Sequence, residues 1–214
     1  MTERVILLHG VWLRAMTLAR LARRLERAGY AVERLDYASV LGGSEPAIEA
    51  LRQRCSACGD ERIHFVGHSL GGLVALEALR RHPSLARGRV VCLGSPLRGS
   101  RAARVLCGSK STRWVVGRSG ELLCRGVGAC APGTEVGVVA GRMPVGLGFF
   151  ARLPRPHDGT VAVEETRAEG LSDHCLVPTT HTGLLFSDEA ARQTIAFLRT
   201  GHFEPAAAGT LRTT

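Results

Sequence analysis

The sequence has no long hydrophobic run. Its first apolar stretch, Val5–Leu8, has only four residues, which is too short for the apolar region of a signal peptide or for a membrane span. Neither a basic segment before it nor a cleavage site of small residues after it completes a secretion signal. The absence of these features predicts a soluble protein located in the cytoplasm.

The cysteines lack the pattern of a disulfide-bonded framework. There are seven of them, scattered from Cys55 to Cys175, whereas small secreted domains more often carry an even number in a shorter chain. Cys55 and Cys58 have the spacing of a zinc or redox pair, but no second pair of this kind exists and no thioredoxin-like unit surrounds them. We therefore expect ordinary surface or core thiols and no metal site.

Lysine is almost missing as well. Lys110 is the only lysine among 28 basic residues, so the net charge of +9 comes almost wholly from arginine. A strongly basic chain often binds nucleic acid. Here, much of the arginine has helical spacing on a predicted solvent-facing surface. In one candidate helix the arginines are Arg14, Arg20, Arg23, Arg24 and Arg27. We expect a solvated basic surface and no nucleic-acid partner.

Short apolar runs alternate with amphipathic stretches, and this pattern predicts βαβ units around a parallel sheet. The 214 residues suffice for one sizeable core and contain no repeat or linker, so we expect a single domain over 1–214 with a loose tail from about residue 202. The predicted strands are 4–8, 31–36, 62–66, 89–94, 135–140 and 173–177. The predicted helices are 13–28, 45–55 with an N-cap at Ser44, 70–81, and 188–199 after Ser187.

Residues 97–132 interrupt the alternation, and we call this segment the insertion. It carries seven basic residues and one acidic residue, Glu121, with apolar residues and Trp114 between them. One interpretation is a short amphipathic cap that contacts an anionic membrane surface peripherally. The other is a solvated insertion with a small satellite core.

The pentapeptide Gly67-His68-Ser69-Leu70-Gly71 has the pattern G-x-S-x-G. It follows an apolar strand and precedes an apolar-periodic helix, which is the setting of a nucleophile elbow. The glycines allow a sharp turn that projects the serine hydroxyl above the sheet edge, and the free N–H groups of the helix face developing negative charge. We therefore predict that Ser69 is a nucleophile.

The segment His9-Gly10-Val11-Trp12 follows the first strand. A loop in this position places a backbone N–H, that of Val11, opposite the N–H of Leu70. Two such donors stabilise the oxyanion of an acyl-transfer intermediate. Trp12, the next residue of the loop, is a candidate substrate contact, and an ordinary turn is the alternative for the whole segment.

A nucleophilic serine needs a histidine that accepts its proton and an acid that orients the histidine. After a nucleophile elbow both follow in the chain, the acid first. His181 lies in the loop between the last predicted strand and helix, which makes it the candidate base. Asp158 and Asp173 are the only aspartates between Ser69 and the last helix.

Asp158 is the favoured acid, because the adjoining Gly159 permits a tight turn and 23 residues to His181 leave room for a strand. Asp173 stands only eight residues before His181. Eight extended residues span roughly 26 Å, which is too far for a hydrogen bond between the two side chains unless the chain folds back. A glutamate, Glu164 or Glu165, is the remaining alternative for the acid.

Five patches together resemble the α/β-hydrolase superfamily, in particular small bacterial lipases and esterases. These patches are VILLHG at 5–10, VGHSLGGL at 66–73, LGSPLRGS at 93–100, HDGTV at 157–161 and HTGLLFS at 181–187. The resemblance implies a minimal α/β-hydrolase fold, with about six mainly parallel strands flanked by helices. It also implies that the first two strands of the family are absent. Carried over residue by residue, the family's triad falls on Ser69, Asp158 and His181, with oxyanion donors at Val11 and Leu70.

The implied activity is hydrolysis of a carboxylic ester, from a small molecule or a lipid, through an acyl-enzyme and without a cofactor. Gly183 stands where some calcium-dependent lipases have a carboxylate, so we expect no calcium site. The insertion is short for a full lid. An acyltransferase or thioesterase using the same triad, and an inactive scaffold that binds a lipid or a partner, are the alternative functions. The oligomeric state stays open.

Overall fold

A parallel β-sheet forms the centre of the protein. The computed structural model describes residues 3–59, 61–130, 132–146 and 152–205. Within these residues the sheet has six strands in the order β2-β1-β3-β4-β5-β6, and each neighbouring pair is parallel. The strands are β1 (Arg4–Leu8), β2 (Ala31–Leu35), β3 (Ile63–His68), β4 (Val90–Leu93), β5 (Val136–Gly141) and β6 (Asp173–Val177). The predicted α/β fold is confirmed.

Helices cover both faces of the sheet. They are α1 (Ala19–Arg27), α2 (Glu45–Ala57), α3 (Leu70–Arg81), α4 (Arg101–Cys107), α5 (Gly120–Arg125) and α6 (Asp188–Thr200). Because successive strand residues point to opposite faces, Ile6 and Leu8 of β1 pack in one core with α2 and α3. Val5 and Leu7 pack in a second core with α1 and α6. None of the described helices is long and apolar enough to cross a membrane.

The central strand β3 is buried along its whole length. The edge strands β2 and β6 each have a single buried residue, Leu35 and Val177 respectively, and both lie at the carboxyl end of their strand. In a sheet with all strands parallel, the carboxyl ends meet at one edge. The loops that follow β1, β3, β4, β5 and β6 therefore converge there, and the candidate site lies at this edge.

The observed helices depart from the prediction most clearly at the start of α1 and at the N-cap of α2. Residues 15–18 form a 3₁₀ turn, so the helix predicted over 13–28 begins at Ala19. The Ser44 side chain makes no capping hydrogen bond, because its own backbone is already helical (φ −85°, ψ −26°). Ser187 has an extended backbone and its hydroxyl accepts a hydrogen bond from the Ala190 N–H, as an N-cap requires.

Residues 203 and 204 make packing contacts and hydrogen bonds, although a loose tail was expected from about residue 202. Phe203 packs on Phe197 with ring centroids 5.0 Å apart. Its N–H donates to the Asp173 carboxylate, and the Glu204 N–H donates to the Gln193 side chain. These contacts tie residues 203–204 to β6 and α6. The rest of the predicted tail, from 206, lies outside the described residues.

The insertion consists of α4, two 3₁₀ turns (Arg113–Val115 and Gly117–Ser119) and α5. Helix α4 packs against α5, and α5 packs against α3. Five buried apolar residues of the insertion join the same core as α2 and α3, so they do not form a core of their own. They are Leu97, Ala103, Val116, Leu122 and Leu123.

Candidate active site

Ser69 lies in the sharp turn between β3 and α3. Its backbone has φ 53° and ψ −117°, a conformation that non-glycine residues rarely adopt and that persists only where the surroundings enforce it. The Ser69 N–H donates to the Leu93 carbonyl at 2.9 Å, which anchors the turn to β4. This strained turn holds the Ser69 side chain at the carboxyl edge of the sheet.

Close backbone contacts account for the flanking glycines. A Cβ on Gly67 would lie 2.2 Å from the Gly72 nitrogen, and a Cβ on Gly71 would lie 2.4 Å from the Leu8 carbonyl oxygen. Any side chain at either position would therefore force the strand and helix apart. The turn needs glycine on both sides of Ser69 for steric reasons.

Asp158 and His181 form a buried pair. His181 Nδ1 is 2.6 Å from Asp158 Oδ2, and the His181 N–H donates to the Asp158 carbonyl at 2.8 Å. Asp158 Oδ1 accepts hydrogen bonds from the N–H groups of Thr160 and Val161. Burial raises the pKa of the Asp158 carboxyl, but the attraction of His181 and these hydrogen bonds outweigh it, so the pKa is lowered overall. Asp158 is held as a carboxylate.

The Asp158 contact determines which nitrogen of His181 is available. A carboxylate at Nδ1 favours the tautomer that carries its proton there, which leaves Nε2 with a free lone pair. Ser69 and His181 line the same cavity. No hydrogen bond joins their side chains within the described residues, and such bonds are often long before substrate binds. The site therefore brings serine, histidine and aspartate to one edge of the sheet.

The alternative acids have other partners. Asp173 begins β6 and accepts hydrogen bonds from the N–H groups of His174 and Phe203. Glu165 is buried and accepts from the N–H groups of Ala162 and Arg101, and burial raises its pKa. Glu164 is 3.5 Å from the Arg101 guanidinium. Among the described acidic residues, Asp158 is the one bonded to His181.

The loop after β1 passes beside Ser69. A Cβ on Gly10 would lie 3.1 Å from Ser69 Cβ and 3.0 Å from His68 Nδ1. The N–H of Val11 donates to no described group. Leu70 is the first residue of α3, so its N–H has no partner inside the helix either. Both N–H groups are therefore free to bind an external oxygen.

His9 and Tyr37 support this loop, and sequence reasoning did not single out this pair. The His9 ring is fully buried and stacks on Tyr37, with centroids 4.2 Å apart and planes 14° from parallel. The Tyr37 hydroxyl donates to the His9 carbonyl. Burial lowers the pKa of His9, which keeps the ring neutral. The only signal in the sequence is their position: His9 directly follows the predicted strand 4–8, and Tyr37 directly follows the predicted strand 31–36.

His68 supports the opposite side of the site and was also not predicted. Its Nε2–H donates to the His181 carbonyl at 3.0 Å, and the two rings are 4.8 Å apart. Burial lowers the pKa of His68 to about 3, so the ring is neutral at ordinary pH. Its Nδ1 has no described partner. The residue before Ser69 thus positions the backbone of His181.

The cavity at Ser69 has a volume of about 190 Å³ and largely apolar walls. The insertion supplies much of the wall through Ala102, Ala103, Leu106, Val115, Val116 and Leu123. Trp12 connects this wall to the loop after β1, because its Nε1–H donates to the Val115 carbonyl at 2.7 Å. Its ring also meets Trp114 edge-on, with centroids 6.1 Å apart. The described residues contain no cluster of three or more His, Cys, Asp or Glu side chains that suits a metal ion.

The sequence profile of the alpha/beta hydrolase family matches residues 5–209. This range includes the serine turn, the Asp158–His181 pair and the loop after β1. The chain belongs to the alpha/beta hydrolase family. No curated protein sequence matches this α/β hydrolase.

Solved structures of lipases and a thioesterase resemble this α/β hydrolase. A lipase of Bacillus licheniformis in its mature form superposes with a TM-score of 0.71 at 18% identity, covering 94% of this chain and 92% of that one. The monoacylglycerol lipase of Paleococcus ferrophilus gives 0.65 at 18%, covering 94% and 96%. A type II thioesterase from the borrelidin biosynthetic cluster gives 0.58 at 17%, covering 94% and 92%. At these identities the likeness is one of fold.

Proposed function

We propose that this hydrolase cleaves carboxylic esters through an acyl-enzyme formed on Ser69. The observation that carries the proposal is the hydrogen bond of 2.6 Å between His181 Nδ1 and Asp158, in a cavity that Ser69 also lines. This pairing leaves His181 Nε2 unprotonated and available as a base. A serine hydroxyl is a weak nucleophile without such a base.

In the first half of the reaction, Ser69 Oγ attacks the ester carbonyl carbon while its proton passes to His181 Nε2. The resulting imidazolium is stabilised by the Asp158 carboxylate, which stays ionised. The oxyanion of the tetrahedral intermediate accepts hydrogen bonds from the free N–H groups of Val11 and Leu70. The intermediate collapses as His181 Nε2–H donates its proton to the leaving alcohol.

In the second half, water attacks the acyl-enzyme. His181 Nε2 accepts a proton from this water, and the same two N–H groups bind the second oxyanion. Collapse returns the proton to Ser69 Oγ and releases the carboxylic acid. The neutral His68 ring holds the backbone of His181, and the neutral His9 ring is hydrogen-bonded to the Gly10 carbonyl in the loop after β1.

The cavity favours esters with a short acyl chain. Its volume of about 190 Å³ lies below the roughly 300 to 1,000 Å³ of pockets that enclose drug-sized ligands. The aliphatic side chains of Leu106, Val116 and Leu123 form a wall suited to an alkyl group. Trp12 lies at the mouth, more than half exposed, where it can contact the acyl or the alcohol part.

A peripheral contact with an anionic lipid surface extends this proposal. Trp114 and Leu41 are exposed at 62% and 80%, and they border a surface depression with Lys110 and Arg113. Apolar and basic side chains on one surface suit an anionic bilayer. We expect co-sedimentation with vesicles that contain phosphatidylglycerol, weakened by salt. Equal binding to neutral phosphatidylcholine vesicles without salt dependence would contradict this contact.

A panel of p-nitrophenyl esters of increasing chain length tests the enzymatic proposal. Hydrolysis should be fastest for short acyl chains and should be lost in Ser69→Ala, by about 10³-fold or more. Ser84→Ala, a substitution at an exposed position outside the site, is the control. A thioester panel and added alcohol acceptors detect a thioesterase or an acyltransferase. If Ser69→Ala retains wild-type turnover, or if no acyl substrate is turned over, the proposal fails.

A further inference from the structure

Two thiols of the insertion lie in contact. Cys107 ends α4 and Cys124 lies in α5, and their sulfur atoms are 3.2 Å apart. Both side chains are partly accessible, and all seven cysteines of the chain are free thiols. No other pair of cysteine sulfurs is hydrogen-bonded in the described part of the chain. The sequence predicted only ordinary surface or core thiols, and these two lie 17 positions apart in the chain.

The surroundings make the pair reachable. Cys107 borders the surface depression that also contains Lys110 and Arg113, so a small anionic molecule can approach its sulfur. Gly120 packs closely on this thiol, since a Cβ there would lie only 3.0 Å from Cys107 Sγ. By contrast, Cys55 and Cys92 are fully buried.

The two cysteines also lie next to residues that form the wall of the substrate cavity. Leu106 and Leu123, which line the cavity, directly precede Cys107 and Cys124. The chain between the two cysteines contributes Val115 and Val116 to the same wall. A covalent link between the sulfurs would close this stretch into a loop and fix α4 against α5.

We propose that Cys107 and Cys124 are a reversible disulfide site that reacts with small-molecule disulfides. The Cys107 thiolate attacks a disulfide RSSR, forms a mixed disulfide and releases one thiolate RS⁻. The Cys124 thiol then loses its proton to that thiolate and attacks Cys107 Sγ, releasing the second RS⁻. The second RS⁻ takes up a proton from solvent, which replaces the proton that Cys107 released on forming its thiolate. In total, two protein thiols are oxidised to one disulfide, and RSSR is reduced to two RSH.

The order of attack follows from the two environments. Burial, together with the neighbouring Cys107 thiol, raises the pKa of Cys124 to about 12, so Cys124 stays protonated until a leaving thiolate is at hand. Cys107 is the sulfur that borders the open depression. Cys107 is therefore the first to react and Cys124 resolves the mixed disulfide.

Peptide mapping tests the bond directly and without any assay of activity. The reduced full-length protein is treated with oxidised glutathione, free thiols are alkylated, and the protein is digested with trypsin. Cleavage at Arg and Lys gives Val105–Lys110 and Ser119–Arg125, each with one cysteine. We expect these two peptides as a linked species, two hydrogen atoms lighter than their sum. Recovery of both as alkylated peptides, or with glutathione alone, would overturn the proposal.

Matched variants complete this test. Cys55→Ser/Cys58→Ser should still form the linked species, whereas Cys107→Ser and Cys124→Ser should not. Closing a loop of this length should raise the melting temperature of the oxidised wild type by roughly 5 °C over the identically treated Cys107→Ser/Cys124→Ser variant. An unchanged melting temperature in the linked protein would contradict the fixing of α4 against α5.

The effect on turnover rests on the proposed esterase function. A fixed wall should disfavour long acyl chains, so oxidation should lower the ratio of octanoate to acetate ester hydrolysis by about tenfold. An unchanged ratio in the linked protein would refute this effect while leaving the disulfide in place. Linked peptides in a protein without any ester hydrolysis would instead refute the proposed function.

Discussion

Replacing Asp158 by asparagine changes one hydrogen-bonding group while preserving the shape of the side chain. Asp158 Oδ1 accepts from the Thr160 and Val161 N–H groups, and an asparagine oxygen can do the same. The asparagine NH₂ then faces His181 Nδ1, where in the wild type Asp158 Oδ2 accepts a hydrogen bond from Nδ1–H with the two atoms 2.6 Å apart. A donor in this position stabilises the tautomer with its proton on Nε2. His181 can then no longer accept the proton of Ser69.

The size of the effect follows from losing the base. A wrong histidine tautomer and an unstabilised imidazolium lower kcat by about 10³ to 10⁴ in serine hydrolases with such a triad. This corresponds to about 4 to 5.5 kcal/mol of transition-state stabilisation. The free energy of unfolding should change far less, because the two backbone hydrogen bonds of the loop persist.

The assay compares kcat for a short p-nitrophenyl ester across pH, with Asp173→Asn as the matched control. Asp173 accepts only backbone N–H groups at the far end of β6, so its variant should lose less than about tenfold in kcat. The deficit of Asp158→Asn should persist at every pH, since a tautomer preference is not removed by titration. If Asp173→Asn is the slower enzyme, the acid is misassigned, although Ser69 and His181 could still act together.

Three further results are expected. Leu106→Ala should open the cavity wall and shift the preferred substrate to esters with a longer acyl chain, whereas Val105→Ala, at the exposed neighbouring residue, should not. The same chain-length preference in both variants would refute the acyl site. Trp12→Phe removes the hydrogen bond to the Val115 carbonyl and should lower kcat/KM by roughly fivefold, which corresponds to about 1 kcal/mol. An unchanged kcat/KM would contradict a role for this hydrogen bond. Burial lowers the pKa of His68 to about 3 and of His174 to about 4, so at mildly acid pH only the unfolded state is protonated at these positions. The free energy of unfolding, measured with urea, should fall by about 2 kcal/mol for each histidine between about pH 7 and pH 5, and no fall would contradict their burial.

Much of the sheet was predictable from local sequence. Each predicted strand overlaps an observed one. The inner strands are short apolar runs bounded by turn residues. The edge strands β2 and β6 have one buried residue each, and their alternation with helical patterns indicated them. The position of Ser69 was predictable for the same reason, since strand, turn and helix follow one another directly. The spacing of Asp158 and His181 along the chain was enough to expect them at one edge, but it does not show which nitrogen bonds to which oxygen.

The remainder depends on contacts between distant segments. The stacking of His9 on Tyr37 joins residues that lie just beyond β1 and β2, and the hydrogen bond from His68 to His181 joins residues 113 apart. Neither has a periodic signal. The contact between Cys107 and Cys124 requires the packing of two short helices whose boundaries the sequence did not predict. The Ser44 side chain makes no capping hydrogen bond because the backbone of Ser44 itself already has helical dihedral angles.

Labelling with a fluorophosphonate probe tests the central claim most directly. The probe forms a stable bond to an activated serine, so digestion with trypsin should place the label on the peptide Ile63–Arg80, at Ser69. Labelling should disappear in Ser69→Ala and fall strongly in a His181→Ala variant, because the hydroxyl then lacks its base. A label on a different serine, or labelling of Ser69→Ala equal to that of the wild type, would contradict the assignment of the nucleophile.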